Sequence, residues 1–167
     1  MIDNHNQPIT KHLNRHYFRN QSLFSLENTT GKVAFHQICV LNDQYREKGF
    51  AKSLHEQELD LYRTFAFKEI HLDAVSYGLV VWPKLFFDFV NSKSENNVIR
   101  KFQSYLTKVW NLDNEQIEKR VKSLNGKIKN IPLQYLKTNG SKISFGEWLS
   151  QGNNGNMSMC MMYKVVS

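Results

Sequence analysis

The sequence predicts an α/β (α+β) protein with a mixed, partly parallel sheet flanked by helices. Two observations support this class. The middle of the chain alternates strand-like and helix-like segments, which usually fold into a parallel sheet with helical crossover connections. Strand-like segments also stand near both ends of the chain, where antiparallel strands are expected. A length of 167 residues, 41% of them hydrophobic, is ordinary for a single domain, and we expect one over 1–167.

The first half of the chain contains the clearest elements. Short strands are expected at 16–18 and 23–26, on either side of a polar turn. The run 33–41 is apolar almost throughout and is long enough for a buried central strand. The apolar period then becomes helical over 51–67, and a second strand is expected at 69–74. The residues of this helix that we expect to face the core are Phe50, Ala51, Leu54, Leu61, Tyr62 and Phe65.

The second half is predicted to be mainly helical. A short helix is expected at 77–86, with Pro83 inside it or kinking it, followed by a strand at 87–90. Two amphipathic helices and a last helical turn form a helical insertion at about 91–140. We expect 143–149 and 157–166 to be strands that make a C-terminal β-hairpin around an Asn/Gly-rich turn.

Composition narrows the class of function. The chain has 22 Lys and Arg against 15 Asp and Glu, a net charge of +7, which favours anionic partners. Cys39 and Cys160 form no Cys-x-x-Cys pair, so a disulfide framework and a structural zinc site are not expected. The first residues are polar, and charges interrupt the most apolar stretch, 74–90. We therefore expect a reduced, cytoplasmic protein with no membrane partner and no metal.

The loop before the first long helix has the composition of an anion site. Gly49 at the loop–helix junction lets the backbone approach a ligand closely, and the start of a helix favours negative charge. Arg46 and Lys48 add positive charge. A Walker A loop is excluded because there is no Gly-Lys-Ser/Thr, and the Rossmann glycine pattern is absent too. The loop therefore indicates either a diphosphate site or a basic turn that opens a surface helix.

This loop also resembles a known family. Arg46-x-x-Gly49-x-Ala51 matches the Gln/Arg-x-x-Gly-x-Gly/Ala loop of the GNAT family of N-acetyltransferases, and the surrounding segments are similar in order and spacing. The stretch 82–88 looks like the family's Tyr-x-x-x-Gly-Phe pattern, with Trp82 and Phe86 at the Tyr and Gly places. The resemblance covers 33–89. It implies direct transfer of an acetyl group from acetyl-CoA, as co-substrate, to an amine acceptor.

The resemblance also implies which residues bind the co-substrate. Backbone groups near the end of the first central strand would bind the pantetheine and polarise the acetyl carbonyl, and the loop and helix start would hold the pyrophosphate. The residues in the first group are Cys39, Val40 and Leu41, and those in the second are Arg46, Glu47, Lys48, Gly49, Phe50, Ala51 and Lys52.

Proton transfer is assigned to other side chains. The family often has a Tyr as general acid where this chain has Trp82, so we expect Tyr77 to protonate the leaving thiolate. His71 is the expected general base, and His36 is an alternative. Asp73 and Glu69 are further possibilities, and catalysis by positioning without a base stays open.

Two other functions remain open at this stage. One is a catalytically inactive acyl-CoA-binding protein on the same fold, which the replacement of the Tyr favours. The other is a basic nucleic-acid-binding module that uses the run 119–129. Nucleic acid is not expected as a partner, because the run has no interleaved aromatic residues and no helix-turn-helix or RNP pattern is present. The sequence indicates neither the oligomeric state nor whether the acceptor is a small amine, a peptide N-terminus or a lysine.

Overall fold

The computed structural model of the chain describes residues 17–19, 32–36, 49–151 and 160–167. Contacts divide the chain into two compact units, Met1–Asp73 with Tyr163–Ser167, and Ala74–Met162. Each unit is described by itself. The single domain expected over 1–167 stays a prediction.

The first unit contains a mixed sheet and one long helix. Strand β1 (Tyr17–Arg19) is antiparallel to β2 (Lys32–His36). Strand β2 is parallel to β3 (Phe67–Ala74), with His36 opposite Leu72. The last strand, β5 (Cys160–Val165), belongs to this unit from Tyr163 onward and lies beside β3, where the Val166 amide donates to the Lys68 carbonyl at 2.8 Å. The expected mixed, partly parallel sheet is therefore confirmed. The long helix, α1, comprises Phe50–Thr64.

In the chain, helix α1 lies between the parallel strands β2 and β3, and the set of side chains that it buries differs in part from the predicted one. His55, Leu59 and Tyr62 are buried at helical spacing, whereas Leu61 and Phe65 are 50% and 54% exposed. The predicted stripe is therefore wrong at these two positions. The physical reason is that Tyr62 meets a side chain of the sheet, His36, which turns Leu61 outward.

The second unit is mainly helical. Its elements pack around an aromatic core formed by Phe102, Tyr105, Tyr135, Phe145 and Trp148, all less than 5% exposed. The predicted helical character of 91–140 is confirmed, whereas its status as an insertion stays a prediction. The bounds are α2 Gly78–Lys84, β4 Asp88–Phe89, α3 Ser92–Trp110, α4 Asn114–Ser123, two short 3₁₀ helices at Ile128–Asn130 and Leu133–Tyr135, and α5 Phe145–Ser150.

Side-chain caps define the starts of α3 and α4. The Asn91 side chain accepts from the Ser94 amide ahead of α3, and Asp113 forms a reciprocal capping box with Gln116 at α4. Pro83 lies inside α2, one residue before its end, and it has no amide hydrogen to donate to the carbonyl of Leu79 in the preceding turn. In the described part of the chain, no helix is long and apolar enough to cross a membrane.

The predicted C-terminal β-hairpin is wrong. Its first expected strand, 143–149, is instead occupied by helix α5, Phe145–Ser150. Ser144 caps this helix by accepting from the Glu147 amide at 3.2 Å, and Phe145, Trp148 and Leu149 are buried at helical spacing. Within the second unit, β5 lies beside β4, and the Val90 amide donates to the Met161 carbonyl at 3.1 Å.

Candidate functional site

Most of the expected co-substrate residues lie outside the described residues, so their roles stay predictions. They are Cys39, Val40, Leu41, Arg46, Glu47 and Lys48. Gly49, Phe50, Ala51 and Lys52 are described, and they form the start of α1. The structure therefore describes the part of the predicted anion site that lies at the start of the helix.

Gly49 has the backbone that the predicted loop needs. It is the N-cap of α1 with φ 78°, a left-handed conformation that favours glycine. Among the residues that the structure describes, no atom lies within 4 Å of a Cβ built at this position. The first turn of α1 contains no acidic residue. Since the first amides of a helix have no partner in the preceding turn, this terminus suits a phosphate group.

Lys52 is exposed, and its Nζ lies 3.8 Å from the Glu56 carboxylate, one turn further along α1. An exposed ion pair of this kind is weak, so Lys52 can turn toward an anion at small cost.

His36, the alternative base, is buried against helix α1. Its Nε2 lies 2.6 Å from the Tyr62 hydroxyl oxygen, and both side chains are buried. Burial, and then the nearby Glu58 carboxylate, raise the pKa of Tyr62, so the phenol keeps its proton. His36 therefore acts as a packing and hydrogen-bonding residue of the core.

His71, the expected base, is paired with an acidic residue of its own strand. Its Nε2 lies 2.7 Å from a carboxylate oxygen of Glu69, and the two side chains are 7% and 8% exposed. The ring of Tyr163 on β5 lies beside it, at 6.2 Å between ring centroids. Two residues further on, Asp73 is half-buried, and burial raises its pKa.

These polar residues lie on the sheet face opposite α1. In the parallel pair, Phe35 is opposite His71 and His36 is opposite Leu72. Paired residues point to the same face, and neighbours along a strand alternate. Because His36 meets α1, the face of β3 that carries Glu69, His71 and Asp73 is turned away from that helix.

Tyr77, the expected acid, belongs to the second unit and precedes α2. Its hydroxyl oxygen accepts a hydrogen bond from the Ser144 hydroxyl at 3.5 Å. A Cβ on Gly146 would overlap three carbon atoms of the Tyr77 ring, so the ring packs directly against the backbone of α5.

Ser144 and Gly146 contact Tyr77, and the sequence pattern did not predict either contact. A signal for them was present, since Ser144 and Glu147 stand three residues apart, as in an N-terminal helix cap. Recognising that cap would have placed a helix at this segment.

Phe86, at the glycine place of the family's pattern, has a glycine-like backbone. Its φ is 67°, and its side chain is 74% exposed. Trp82, at the Tyr place, packs edge-on against Phe87 with ring centroids 5.3 Å apart. A large exposed residue at positive φ is uncommon, so the turn after α2 has a geometry better suited to glycine.

The first unit contains a third histidine contact, between His55 and Lys164, that the sequence did not indicate. His55 Nε2 on α1 lies 3.0 Å from Lys164 Nζ on β5. Burial, and then the Lys164 charge, lower the pKa of His55 to about 4. Burial, and then the Arg63 charge, also lower the pKa of Lys164. At neutral pH the imidazole is therefore neutral and accepts from the ammonium.

No protein-family model, curated protein or solved structure matches the chain. Within the described ranges, no group of three or more His, Cys, Asp or Glu side chains is arranged to hold a metal ion. The chain's own residues are therefore the evidence for its function.

Proposed function

We propose that this protein is an acetyl-CoA-dependent N-acetyltransferase that transfers the acetyl group directly to an amine acceptor. The observation that carries the proposal is the start of α1. Gly49 is left-handed, and no atom of the described residues lies within 4 Å of a Cβ built there. In the sequence, Lys48 directly precedes Gly49 and Arg46 stands three residues before it. The helix that begins there connects two parallel strands, as the resemblance to the GNAT family implies.

The turn after α2 supports the same proposal independently. The resemblance puts Phe86 where the family has glycine, and Phe86 has the positive φ that glycine adopts readily. The resemblance rests on residue types alone, so the backbone conformation of Phe86 is a separate observation.

The residues have separate tasks under this proposal. Acetyl-CoA, when bound, supplies the acetyl thioester that reacts with the amine. The amides at the start of α1, with Arg46 and Lys48, hold its pyrophosphate. In the first unit, His71 accepts the proton that the amine loses. In the second unit, Tyr77 donates a proton to the departing thiolate, which is a separate prediction. The proposal includes the cytoplasmic location expected from the sequence.

Native mass spectrometry of freshly purified protein is the first test. We expect co-purified acetyl-CoA or CoA, and calorimetry should show acetyl-CoA binding to the stripped protein. Turnover is then measured as free thiol released with a polyamine, an aminoglycoside, a peptide N-terminus and a lysine peptide. The same mixture without amine is the control for hydrolysis.

The outcomes separate the functions that the sequence left open. Thiol release that depends on one amine class supports the acetyltransferase. Binding without turnover on any amine favours the inactive acyl-CoA-binding protein. No acetyl-CoA binding, together with a salt-sensitive gel shift of a nucleic acid, would favour the basic binding module instead.

A further inference from the structure

Glu69 and His71 form a buried pair on the face of β3 that is turned away from α1. Residues two apart on a strand share a face, which brings the two side chains together. The distance of 2.7 Å from Glu69 Oε2 to His71 Nε2 is that of a short charge-assisted hydrogen bond. Both residues are less than 9% exposed, so little water competes for this contact.

We propose that Glu69 is a positioning residue for His71, and that it makes Nδ1 of His71 the atom that accepts the proton of the acceptor amine. This inference rests on the proposed function and deepens it. A carboxylate only accepts hydrogen bonds, so the hydrogen of the neutral imidazole lies on Nε2. The other ring nitrogen, Nδ1, is then left with a lone pair.

The Glu69 carboxylate also stabilises the imidazolium that forms when His71 accepts a proton. When Nδ1 takes a proton, the ring becomes positive while Nε2 remains bonded to the carboxylate. In a buried place the attraction between opposite charges at this distance is stronger than in water. Glu69 therefore both selects the tautomer and stabilises the imidazolium, as the Asp of a serine-protease triad does.

A second contact restrains the ring. The Tyr163 ring on the neighbouring strand β5 lies 6.2 Å from the imidazole, at an interplanar angle of 48°. With Glu69 at one ring nitrogen and Tyr163 at the side, the imidazole has little freedom to flip. A fixed ring keeps Nδ1 pointing in one direction, which a general base needs.

Atoms and electrons balance over the complete acetyl transfer. The amine nitrogen forms a bond to the acetyl carbon, and the carbon–sulfur bond breaks, with its electron pair going to sulfur. The nitrogen gives one proton to Nδ1 of His71, which later releases it to water. The thiolate takes one proton from the proposed acid Tyr77 or from water, so the products are an amide and the free thiol. No oxidant or reductant is needed.

Histidine NMR on the full chain tests the tautomer without any need for turnover. Long-range proton–nitrogen spectra of the imidazole should show His71 protonated at Nε2 at pH 7.5. His71→Gln identifies its signals. In Glu69→Leu this tautomer preference should be lost, whereas Glu118→Gln, on exposed α4, should leave it unchanged. An Nδ1-protonated His71 in the wild type would overturn the proposal.

Kinetics then test whether Glu69 acts through His71. We expect His71→Ala to lower kcat by roughly 10²-fold, and Glu69→Gln by roughly 10-fold, with the KM for acetyl-CoA unchanged. In the His71→Ala background, Glu69→Gln should have no further effect, because its partner is gone. Glu69→Asp should recover part of the loss, since it restores a carboxylate.

Failure of this inference and failure of the proposed function give different results. If the wild type acetylates an amine while Glu69→Gln and His71→Ala lower kcat independently, the positioning role is wrong and the acetyltransferase stands. If the wild type acetylates no amine, the function is wrong, and the base role of His71 fails with it, whatever tautomer the NMR spectra show.

Discussion

The Tyr62 hydroxyl oxygen lies 2.6 Å from Nε2 of His36, and this contact joins helix α1 to strand β2. It sets the rotation of α1 about its axis, because Tyr62 must face the sheet. The same helix begins at Gly49, where the phosphate group is proposed to bind. A hydrogen bond in the core therefore helps to determine where the first amides of α1 point.

The first prediction concerns the stability of this contact. Tyr62→Phe removes the hydroxyl and leaves a buried imidazole nitrogen without that bond, so the free energy of unfolding should fall by about 1–3 kcal/mol. His36→Leu should cost less in the Tyr62→Phe background than in the wild type. Urea denaturation of both single variants and the double variant measures the coupling. Strictly additive losses would show that the bond contributes nothing to stability.

The second prediction concerns the phosphate site. Gly49→Asp should weaken acetyl-CoA binding at least ~10²-fold, because it places a carboxylate beside the proposed pyrophosphate. Asp tolerates a left-handed backbone better than most residues, and no atom of the described residues would meet its Cβ within 4 Å. The variant should therefore fold. Calorimetry with acetyl-CoA gives the affinity.

Two control variants separate charge from shape at Gly49. Gly49→Asn has nearly the same shape without the charge, and it should lose much less affinity than Gly49→Asp. Gly126→Asp makes the same change at a glycine with φ 69° and open surroundings in the second unit, and affinity should stay unchanged. Normal affinity in a folded Gly49→Asp variant would contradict the proposed function.

The sequence predicted the parallel strand pair and its helix well because local patterns determine them. A continuous apolar strand, a helical period and a second strand follow one another in the chain, and they fold as β2, α1 and β3. The rotation of α1 was not predictable in this way. Tyr62 is buried as predicted, but His55 is buried because of a partner on β5, and a count of apolar residues along one helix does not include such a partner.

The error at 143–149 has a different physical cause. Ile143, Phe145 and Leu149 have the composition of a strand, but Ser144 satisfies a free amide of the next turn and so favours a helix. The candidate site was predicted by residue type only. The bond between Glu69 and His71 depends on side-chain orientation on β3, which the sequence pattern allows but does not require.

The third prediction concerns pH and His55. Its pKa is lowered from 6.5 to about 4 in the folded protein, so between these values the unfolded chain binds more protons. The stability from the neutral imidazole is fully present above pH 6.5 and is lost as the pH falls toward 4, by on the order of 2 kcal/mol. In His55→Gln the free energy of unfolding should depend less on pH over this window.

Lys164→Met is the matched variant for the charge at His55. It removes the ammonium 3.0 Å from the imidazole, so the pKa of His55 should rise toward 6.5. The loss of stability on acidification should then be smaller and should end at a higher pH than in the wild type. Urea denaturation at several pH values between 4 and 7.5 measures both effects. An identical pH dependence in wild type and His55→Gln would show that His55 titrates normally.

The fourth prediction concerns the turn at Phe86. Phe86→Gly should be more stable than Phe86→Ala by about 1 kcal/mol, because only glycine adopts positive φ without strain. At Leu133, also exposed but without a positive φ, the order should be reversed, since glycine then only adds freedom to the unfolded chain. Thermal or urea denaturation of the four variants measures both differences. Equal stability of the two Phe86 variants would remove this support for a glycine-like turn.

The last prediction tests the acid role of Tyr77 through Gly146. Tyr77→Phe keeps the ring and removes the hydroxyl, so kcat should fall by roughly 10²-fold with little change in acetyl-CoA affinity. Gly146→Ala leaves the hydroxyl in place but forces the ring away from α5, because the new methyl group would overlap it. If the position of Tyr77 matters, kcat should fall in this variant too, and the double variant should be no slower than the slower single one.

The free energy of unfolding of Gly146→Ala shows whether the new methyl group overlaps the Tyr77 ring. An alanine inside a helix normally stabilises it relative to glycine, by up to about 1 kcal/mol, so a lower free energy of unfolding in Gly146→Ala would confirm the clash. Ser150→Ala is a control on the same helix, since Ser150 is exposed and bonds only to the Glu147 carbonyl among the described contacts. It should leave kcat unchanged. A Gly146→Ala variant that is destabilised but fully active, together with an active Tyr77→Phe, would show that the thiolate takes its proton from another donor.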